Sequence, residues 1–537
     1  MNRLLCKLSL HPEYLLIFIA LLLPFALFVN LGLMPLISDE PTRAIVTLEM
    51  IISGNYITPT INGEYYYNKP PLFNWILAGY IQISGKENEF IFRLPTVISL
   101  IISGILIYFF SNKRLGKLNA TIAALMLLTS VRILFWDSFQ GLIDITYSML
   151  TICSFAVLYY FSDKLNFLAM FVLTYLLTAF GYLMKGFPSL AFQGISLLVW
   201  LIHEKEIRKI LIWQHFAGIV VFILITGTYY FAYMQTNSLE DVFNTLFNQS
   251  NRINSKEGTL LSWTNHFLMF PIEMIYEFAP WTLLLFLLFD KRVRLRTFSG
   301  KFFRFCLLIF TSNIIIYWIS ADMRPRYLFM LFPLLFIILI KAHHEAAILK
   351  TRAFRFSNSI FLILTFAGAF SLLLYPFWNE TGNLPGVRIT VAVLFLVSIS
   401  AALISSVLPQ FRILLLIIVM LSVRIGFNAF NLPARYNSYP DAGYRQGEIN
   451  AGFLSKTYNL YVLGDTPFNH DASFYISRER RQIVTRTWEI SDKQACYITD
   501  EKNLANFAGS IKNYEVLKEF NIKLNESRLY LIKMYDE

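Results

Sequence analysis

Charge is scarce in this chain. Asp, Glu, Lys and Arg make up 15% of its 537 residues, against about 25% in an average soluble domain, which excludes an ordinary water-soluble globule. Cysteine is scarcer still. Cys6, Cys153, Cys306 and Cys496 are scattered, with no pairing or metal-ligand spacing, so neither a disulfide framework nor a cysteine metal knuckle is encoded. The formal net charge of +11 does not mark a nucleic-acid surface either. After residue 429 the chain carries 14 basic and 14 acidic residues, so the whole excess belongs to the apolar part, where basic residues follow membrane topology.

What is present in quantity is apolar sequence, 56% of the residues with 16% aromatic. It is gathered in runs of the length that crosses hydrocarbon as a helix. The pattern predicts about thirteen spans, near 14–37, 90–110, 118–135, 142–162, 165–181, 187–202, 211–234, 271–289, 303–320, 327–341, 358–377, 386–407 and 411–429. With the N-terminus placed inside, 20 of the 32 basic residues before residue 430 fall in the inner segments, as retention of Lys and Arg in cytoplasmic loops requires. The first apolar run is too long for a cleavable signal and is followed by Asp39-Glu40-Pro41 instead of a small-residue site. The expected organisation is an all-α transmembrane domain over residues 1–429, with outer loops 38–89 and 235–270. A small exported α/β domain over 430–537 follows, its β-prone runs including Leu460 to Leu463 and Leu529 to Ile532.

The first outer loop carries the chemistry. Pro41 marks a helix start, and Ile45, Leu48, Ile51 and Ile52 recur at helical spacing until Ser53-Gly54-Asn55, which predicts an interfacial helix. Asn62-Gly63 predicts a tight hairpin turn. Lys69 precedes Pro70-Pro71 and a second apolar helix, Leu72 to Ile83. A reaction that deprotonates a hydroxyl and discharges an anion needs a carboxylate and a fixed cation. Asp39, Glu40 and Lys69 supply both.

The ordered pieces Ser38-Asp39-Glu40, Ile52 to Pro59, Asn62-Gly63, Tyr66 to Leu72 and Arg93-Leu94-Pro95 resemble the first outer loop of GT-C glycosyltransferases. The match is to the protein O-mannosyltransferase and aminoarabinose transferase group. That resemblance implies a polyprenyl-phosphate sugar donor (undecaprenyl phosphate in bacteria) and an acceptor that is a lipid A-type glycolipid, a glycan or a protein. The family's first acidic residue, regarded as its catalytic base, falls on Asp39, its second acidic position on Asp144 and its phosphate-contacting lysine on Lys69, with Asn68 where a Glu is usual. Met184-Lys185-Gly186-Phe187-Pro188 is similar to the family's Thr-Lys-Gly-Pro, with one residue added. The loop holding Arg252 and His266 ends in Pro280-Trp281 as the family's does, and Arg324-Pro325-Arg326-Tyr327 resembles its late Lys/Arg-x-x-Tyr pattern.

The expected site therefore comprises Asp39, Glu40 and Asp144 as catalytic residues, and Arg43, Lys69, Lys185, Arg252, Arg324, Arg326 and Tyr327 as substrate contacts. No cofactor is required. A divalent metal stays open, with Asp39 and His266 as candidate ligands. In the expected mechanism Asp39 accepts the acceptor's proton while cations hold the departing phosphate, with inversion at the sugar. The expected location is a bacterial inner membrane, N-terminus cytoplasmic and C-terminus exported, with no nucleic-acid partner. A transporter or flippase for a lipid-linked or anionic solute is the alternative, although no repeat between the two halves supports it. Asp39 and Glu40 as a water-facing helix end, Asp144 as a helix-dipole charge, and the cations as interfacial anchors are the structural readings of the same residues.

Overall fold

The computed structural model describes residues 11–255, 260–319, 323–507 and 513–535, with backbone only over 249–255 and 260–263. Each predicted apolar run is helical, but the helices differ in length. Eight are long and apolar enough to cross a membrane on their own. Among them are α4 (Glu89–Leu115), α7 (Ile143–Asp163), α8 (Phe167–Lys185), α10 (Trp213–Tyr233) and α13 (Lys301–Trp318). Lys117–Leu128 (α5) with Val131–Phe139 (helix α6, Val131–Phe135, and a following turn), and 264–277 with 281–289, qualify only as pairs bent by 50° and 117°. Helices α1 (Glu13–Phe28) and α9 (Pro188–His203) have 16 residues each. The protein is an integral membrane protein.

Helix α1 ends at Phe28, nine residues short of the predicted span. Apolarity cannot distinguish a helix from irregular backbone whose carbonyls find another donor. Here that donor is Arg93, whose guanidinium bonds to the carbonyls of Leu31, Met34 and Pro35 at 2.8–3.0 Å.

The first outer loop folds as its sequence dictates. Asp39 precedes α2 (Glu40–Ser53), Pro41 sits in its first turn, and Gly54 closes it with φ +71°. Strands β1 (Thr60–Ile61) and β2 (Glu64–Tyr65) pair antiparallel about Asn62 and Gly63, both with positive φ, the turn that matches strand twist. Helix α3 (Leu72–Ser84) follows. Helix α2 is not an open interfacial helix as expected. Residues Glu40, Pro41 and Arg43 to Met50 are all buried, because the C-terminal sheet domain lies over it.

That domain contains α18 (Asp441–Leu454), β3 (Leu460–Leu463), α19 (His470–Arg480), β4 (Thr485–Thr487), β5 (Cys496–Thr499), β6 (Tyr514–Asn521) and β7 (Arg528–Met534). Helices α11 (Leu239–Ser255) and α12 (Leu260–Glu277), then α14 (Phe332–Ile348), α15 (Arg352–Ser371), α16 (Val387–Val407) and α17 (Arg412–Gly426), complete the helical part. The sheet order is β4-β3-β5-β7-β6, parallel on the β4-β3-β5 side and antiparallel at β5-β7-β6. Val462, Ile476, Ile498 and Leu531 form its core. Phe474 and Tyr475 of α19 belong instead to the large apolar core of the helical part. The domain is thereby seated by burial and not merely tethered.

Candidate active site

Glu40 organises the site without facing it. Its carboxylate is paired with Arg93 through two hydrogen bonds, Nε to Oε1 at 2.8 Å and Nη2 to Oε2 at 2.9 Å, and both side chains are 1% exposed. It also accepts from the amides of Ile37 (2.8 Å) and Gly141 (2.6 Å). Position 141 tolerates only glycine, since a Cβ there would stand 2.5 Å from the Phe92 carbonyl oxygen. Its four donors, two of them from the Arg93 guanidinium, occupy both carboxylate oxygens. Glu40, expected among the catalytic residues, is thus engaged in holding the chain and does not line the adjacent cavity.

Asp39 and Asp144 emerge on either side of this knot. Asp39 is the residue before α2, and Asp144 lies in the first turn of α7. Arg326, on the short turn Pro325–Leu328, joins them. Its Nη2 donates to Asp39 Oδ2 at 2.6 Å and its Nε lies 3.3 Å from Asp144 Oδ2. Lys185 donates to the other oxygen, Asp144 Oδ1, at 2.5 Å. Lys185 is the last residue of α8, and Gly186, with φ +81°, reverses the chain into Pro188 at the start of α9. The Lys-Gly-x-Pro motif is thus a device for projecting an ammonium from a helix end. Asp144 is 7% exposed, whereas the Asp39 side chain is 59% exposed. Asp144 is the fixed counter-ion and Asp39 the carboxylate that a substrate can reach.

These groups surround a cavity of about 450 Å³. Asp39, Thr42, Arg43, Tyr66, Asn68, Lys69, Asp144, Lys185, Arg326 and Tyr327 line it, with Leu142, Ile143, Phe187, Pro188, Leu246 and Tyr317 supplying apolar surface and His470 closing it from the C-terminal domain. Lys185 lies 4.3 Å from the centre of the Tyr327 ring. Arg43 is hydrogen-bonded to the Tyr66 hydroxyl, and its Nη1 is buried with no hydrogen-bond partner among the described residues. Burial lowers the Lys69 ammonium to about 8, helped by the positive charges of Lys185 and Arg43 and opposed by Asp144 and Asp39.

Four cations thus face two carboxylates, and an unfilled donor points to an anion. A divalent metal does not fit this set. Both carboxylates already have cationic partners, and among the described residues no three His, Cys, Asp or Glu side chains converge on a metal position. His266 does not line the cavity; it packs beside Phe270 on α12.

A polar, cation-rich chamber between a helical bundle and a C-terminal sheet domain invites comparison with known proteins. The sequence profile of the dolichyl-phosphate-mannose-protein mannosyltransferase family matches residues 68–231. The chain is 23% identical over 488 residues to an uncharacterized protein of Aquifex aeolicus, covering 89% of each. It is 28% identical over 175 residues to the undecaprenyl phosphate-alpha-4-amino-4-deoxy-L-arabinose arabinosyl transferase of Edwardsiella ictaluri, covering 32% of each, so that match spans about a third of the transferase. The crystal structure of ArnT from Cupriavidus metallidurans bound to undecaprenyl phosphate superposes with a TM-score of 0.71 at 18% identity, covering 97% of this chain and 98% of that one. The chain has the fold of ArnT.

Around this cavity the structure brings together Asp39, Asp144, Arg43, Lys69, Lys185, Arg326 and Tyr327, which the sequence grouped as one expected site. It does not bring in Arg324, which is exposed at the head of its turn, one residue before the proline that fixes Arg326 inward. The side chain of Arg252 lies outside the described residues. Thr42 and His470 were missed. Thr42 stands three residues after Asp39, a spacing that shares a helix face. His470 has no sequence signal at all.

Proposed function

We propose that this enzyme transfers a sugar from a polyprenyl-phosphate donor to an acceptor oxygen on the exported face of the membrane, with inversion at the anomeric carbon. The observation that carries the proposal is the charge of the cavity. Arg43, Lys69, Lys185 and Arg326 oppose only Asp39 and Asp144, a surplus of two positive charges. A glycosyl phosphodiester brings one negative charge and leaves as a phosphate monoester with nearly two. The negative charge that Asp39 gives up on taking the acceptor's proton reappears on the departing phosphate, where Arg43, Lys69 and Lys185 meet it, which is the differential stabilisation that lowers a barrier.

Asp39 accepts the proton of the acceptor hydroxyl through the carboxylate oxygen not held by Arg326. The acceptor oxygen forms its bond to the anomeric carbon as the carbon–phosphate oxygen bond breaks, and the electron pair leaves with the phosphate. Lys69, Lys185 and the free Nη1 of Arg43 meet that charge. Asp144 keeps Lys185 and Arg326 aimed and takes no proton. The lipid tail of the donor is assigned to the apolar side, where a narrow tyrosine-rich cleft lined by Tyr67, Tyr229, Tyr230, Tyr233 and Leu246 shares Tyr66, Lys69 and Leu246 with the main cavity. Following the arabinosyl transferases it matches, the donor proposed is undecaprenyl phosphate-linked 4-amino-4-deoxy-arabinose and the acceptor a lipid A-type glycolipid. The site would face the periplasm of a bacterial inner membrane, with the N-terminus cytoplasmic.

The transporter reading is not favoured, because the cavity charges gather at one end of the bundle against an exported domain. Purified protein in proteoliposomes with radiolabelled donor separates the two. Sugar appearing on lipid A, abolished in Asp39→Asn, supports the transferase. Donor crossing the bilayer without transfer overturns it.

A further inference from the structure

The exported domain places one side chain in the catalytic chamber. His470 opens α19, with Asn469 as its N-cap accepting from the Ala472 amide at 3.2 Å. Its ring lines the cavity. Nδ1 lies 2.8 Å from Oγ1 of Thr42, and Thr42 follows Asp39 by three residues on α2, so His470 stands beside the proposed base.

The position is fixed by several contacts along α19. Tyr475 Oη donates to Glu89 at 2.8 Å and receives the Leu36 amide at 3.2 Å. Ser473 bonds to Asn62, Arg478 donates to the Glu87 carbonyl at 3.2 Å, and Phe474 meets Phe92 edge to face at 5.3 Å. A ring held by this docking serves as part of a binding wall rather than as a mobile lid.

The lining divides by chemistry. Lys69 and Leu246 continue into the tyrosine-rich cleft, which suits a lipid-linked phosphate, whereas Asp39, Thr42 and His470 form a polar side. An acceptor hydroxyl must reach Asp39, so its headgroup must occupy the polar side. Burial and the nearby charge of Arg43 hold the His470 imidazole below its ordinary pKa, leaving a neutral ring with one donor and one acceptor nitrogen. With Nδ1 taken by Thr42, Nε2 remains for a ligand.

We infer that His470 is an acceptor-recognition residue, its Nε2 hydrogen-bonding an oxygen of the glycolipid headgroup next to the hydroxyl that Asp39 activates. This rests on the transferase reading above. It also gives the exported domain a role in choosing the acceptor, independent of donor binding.

The test uses three variants of the full-length enzyme in proteoliposomes, with undecaprenyl phosphate-linked 4-amino-4-deoxy-arabinose as donor and lipid A as acceptor. Glutamine places its amide nitrogen where Nε2 lies, and asparagine places its amide where Nδ1 lies. His470→Ala and His470→Asn are expected to raise the KM for lipid A about tenfold, the usual weight of one hydrogen bond. His470→Gln restores it to within about threefold, and the KM for donor stays within about twofold in all three. Rescue by Asn and not by Gln would show that the ring only docks on Thr42 and would overturn the inference. An unchanged lipid A KM in His470→Ala, or donor and acceptor KM rising together, overturns it as well. Wild-type protein that transfers no sugar brings down the parent reading, and this one with it.

Discussion

The backbone amide of Gly141 donates a 2.6 Å hydrogen bond to Oε1 of Glu40 across 101 residues of sequence. Glu40 follows Asp39 directly and Gly141 precedes Asp144 by three, so this one bond sets the spacing of the two carboxylates that share Arg326. Removing the charge of Glu40 leaves the Arg93 guanidinium buried without its counter-ion, and breaking a buried pair in this way costs about 3–5 kcal/mol. Glu40→Gln is expected to lower thermal stability and transfer activity together. Gly141→Ala, whose Cβ meets the Phe92 carbonyl, should do the same. Retention of wild-type stability in Glu40→Gln would show the knot to be dispensable.

Asp39 should behave in the opposite way. Its side chain is more than half exposed and has one cationic partner, so little of the fold depends on it. Asp39→Asn is expected to reduce kcat by about 100- to 10,000-fold, the range for loss of a general base, with a melting temperature close to that of wild type. Undiminished turnover in this variant would remove Asp39 from the mechanism.

The contrast between these neighbours marks what the sequence made legible. Pro41, Gly54 and Asn62-Gly63 act through their own backbone preferences, and helix α2 and the β1–β2 hairpin formed where they predict. Leu460–Leu463 and the Leu529 to Ile532 run lie in strands for the same local reason. Asp39 and Glu40 look alike in sequence because nothing local separates them. What assigns one to the chamber and the other to the knot is Arg93, 53 residues away. His470 meets Thr42 across 428 residues, through the docking of a domain whose sequence carries no motif. The burial of α2 was illegible for the same reason, since its covering surface is encoded more than 400 residues downstream.

Lys69 gives the enzyme a predicted alkaline limit. Its ammonium is lowered to about 8 by burial and then by Lys185 and Arg43, so the charged form dominates below pH 8 and is lost above it. In the proposed transfer, Lys69 meets the donor phosphate with that charge. The kcat/KM for donor, which reports the free enzyme, is therefore expected to fall as pH rises through about 8. Lys69→Arg keeps its charge throughout this range and should give a flat profile to pH 9, at a lower level because the guanidinium geometry differs. A wild-type profile that stays level to pH 9.5 would contradict the assignment of Lys69 to the phosphate.

Asp471, next to His470 on α19, is expected to make the seating of the C-terminal domain pH-dependent. Burial raises its carboxyl to about 7, with Lys523 opposing and Glu40 and Asp441 adding to the rise. Glu448, buried beside it, is raised well above the ordinary carboxylate range by burial and by Asp471 itself. A carboxyl raised in the folded state binds more protons folded than unfolded between its two pKa values. Stability must then fall as pH rises from about 4 to 7 and level off above. Asp471→Asn removes the ionisation while keeping a carbonyl for the Asn469 amide, which reaches Asp471 at 3.1 Å. The variant is expected to be more stable than wild type by on the order of 1–2 kcal/mol at pH 7.5, with the difference becoming small near pH 4, where Asp471 is protonated in the folded state and about half protonated in the unfolded one. Thermal unfolding of the two proteins at both pH values measures this directly. A variant less stable at pH 7.5 than at pH 4, relative to wild type, would mean that the ionised carboxylate holds the domain in place.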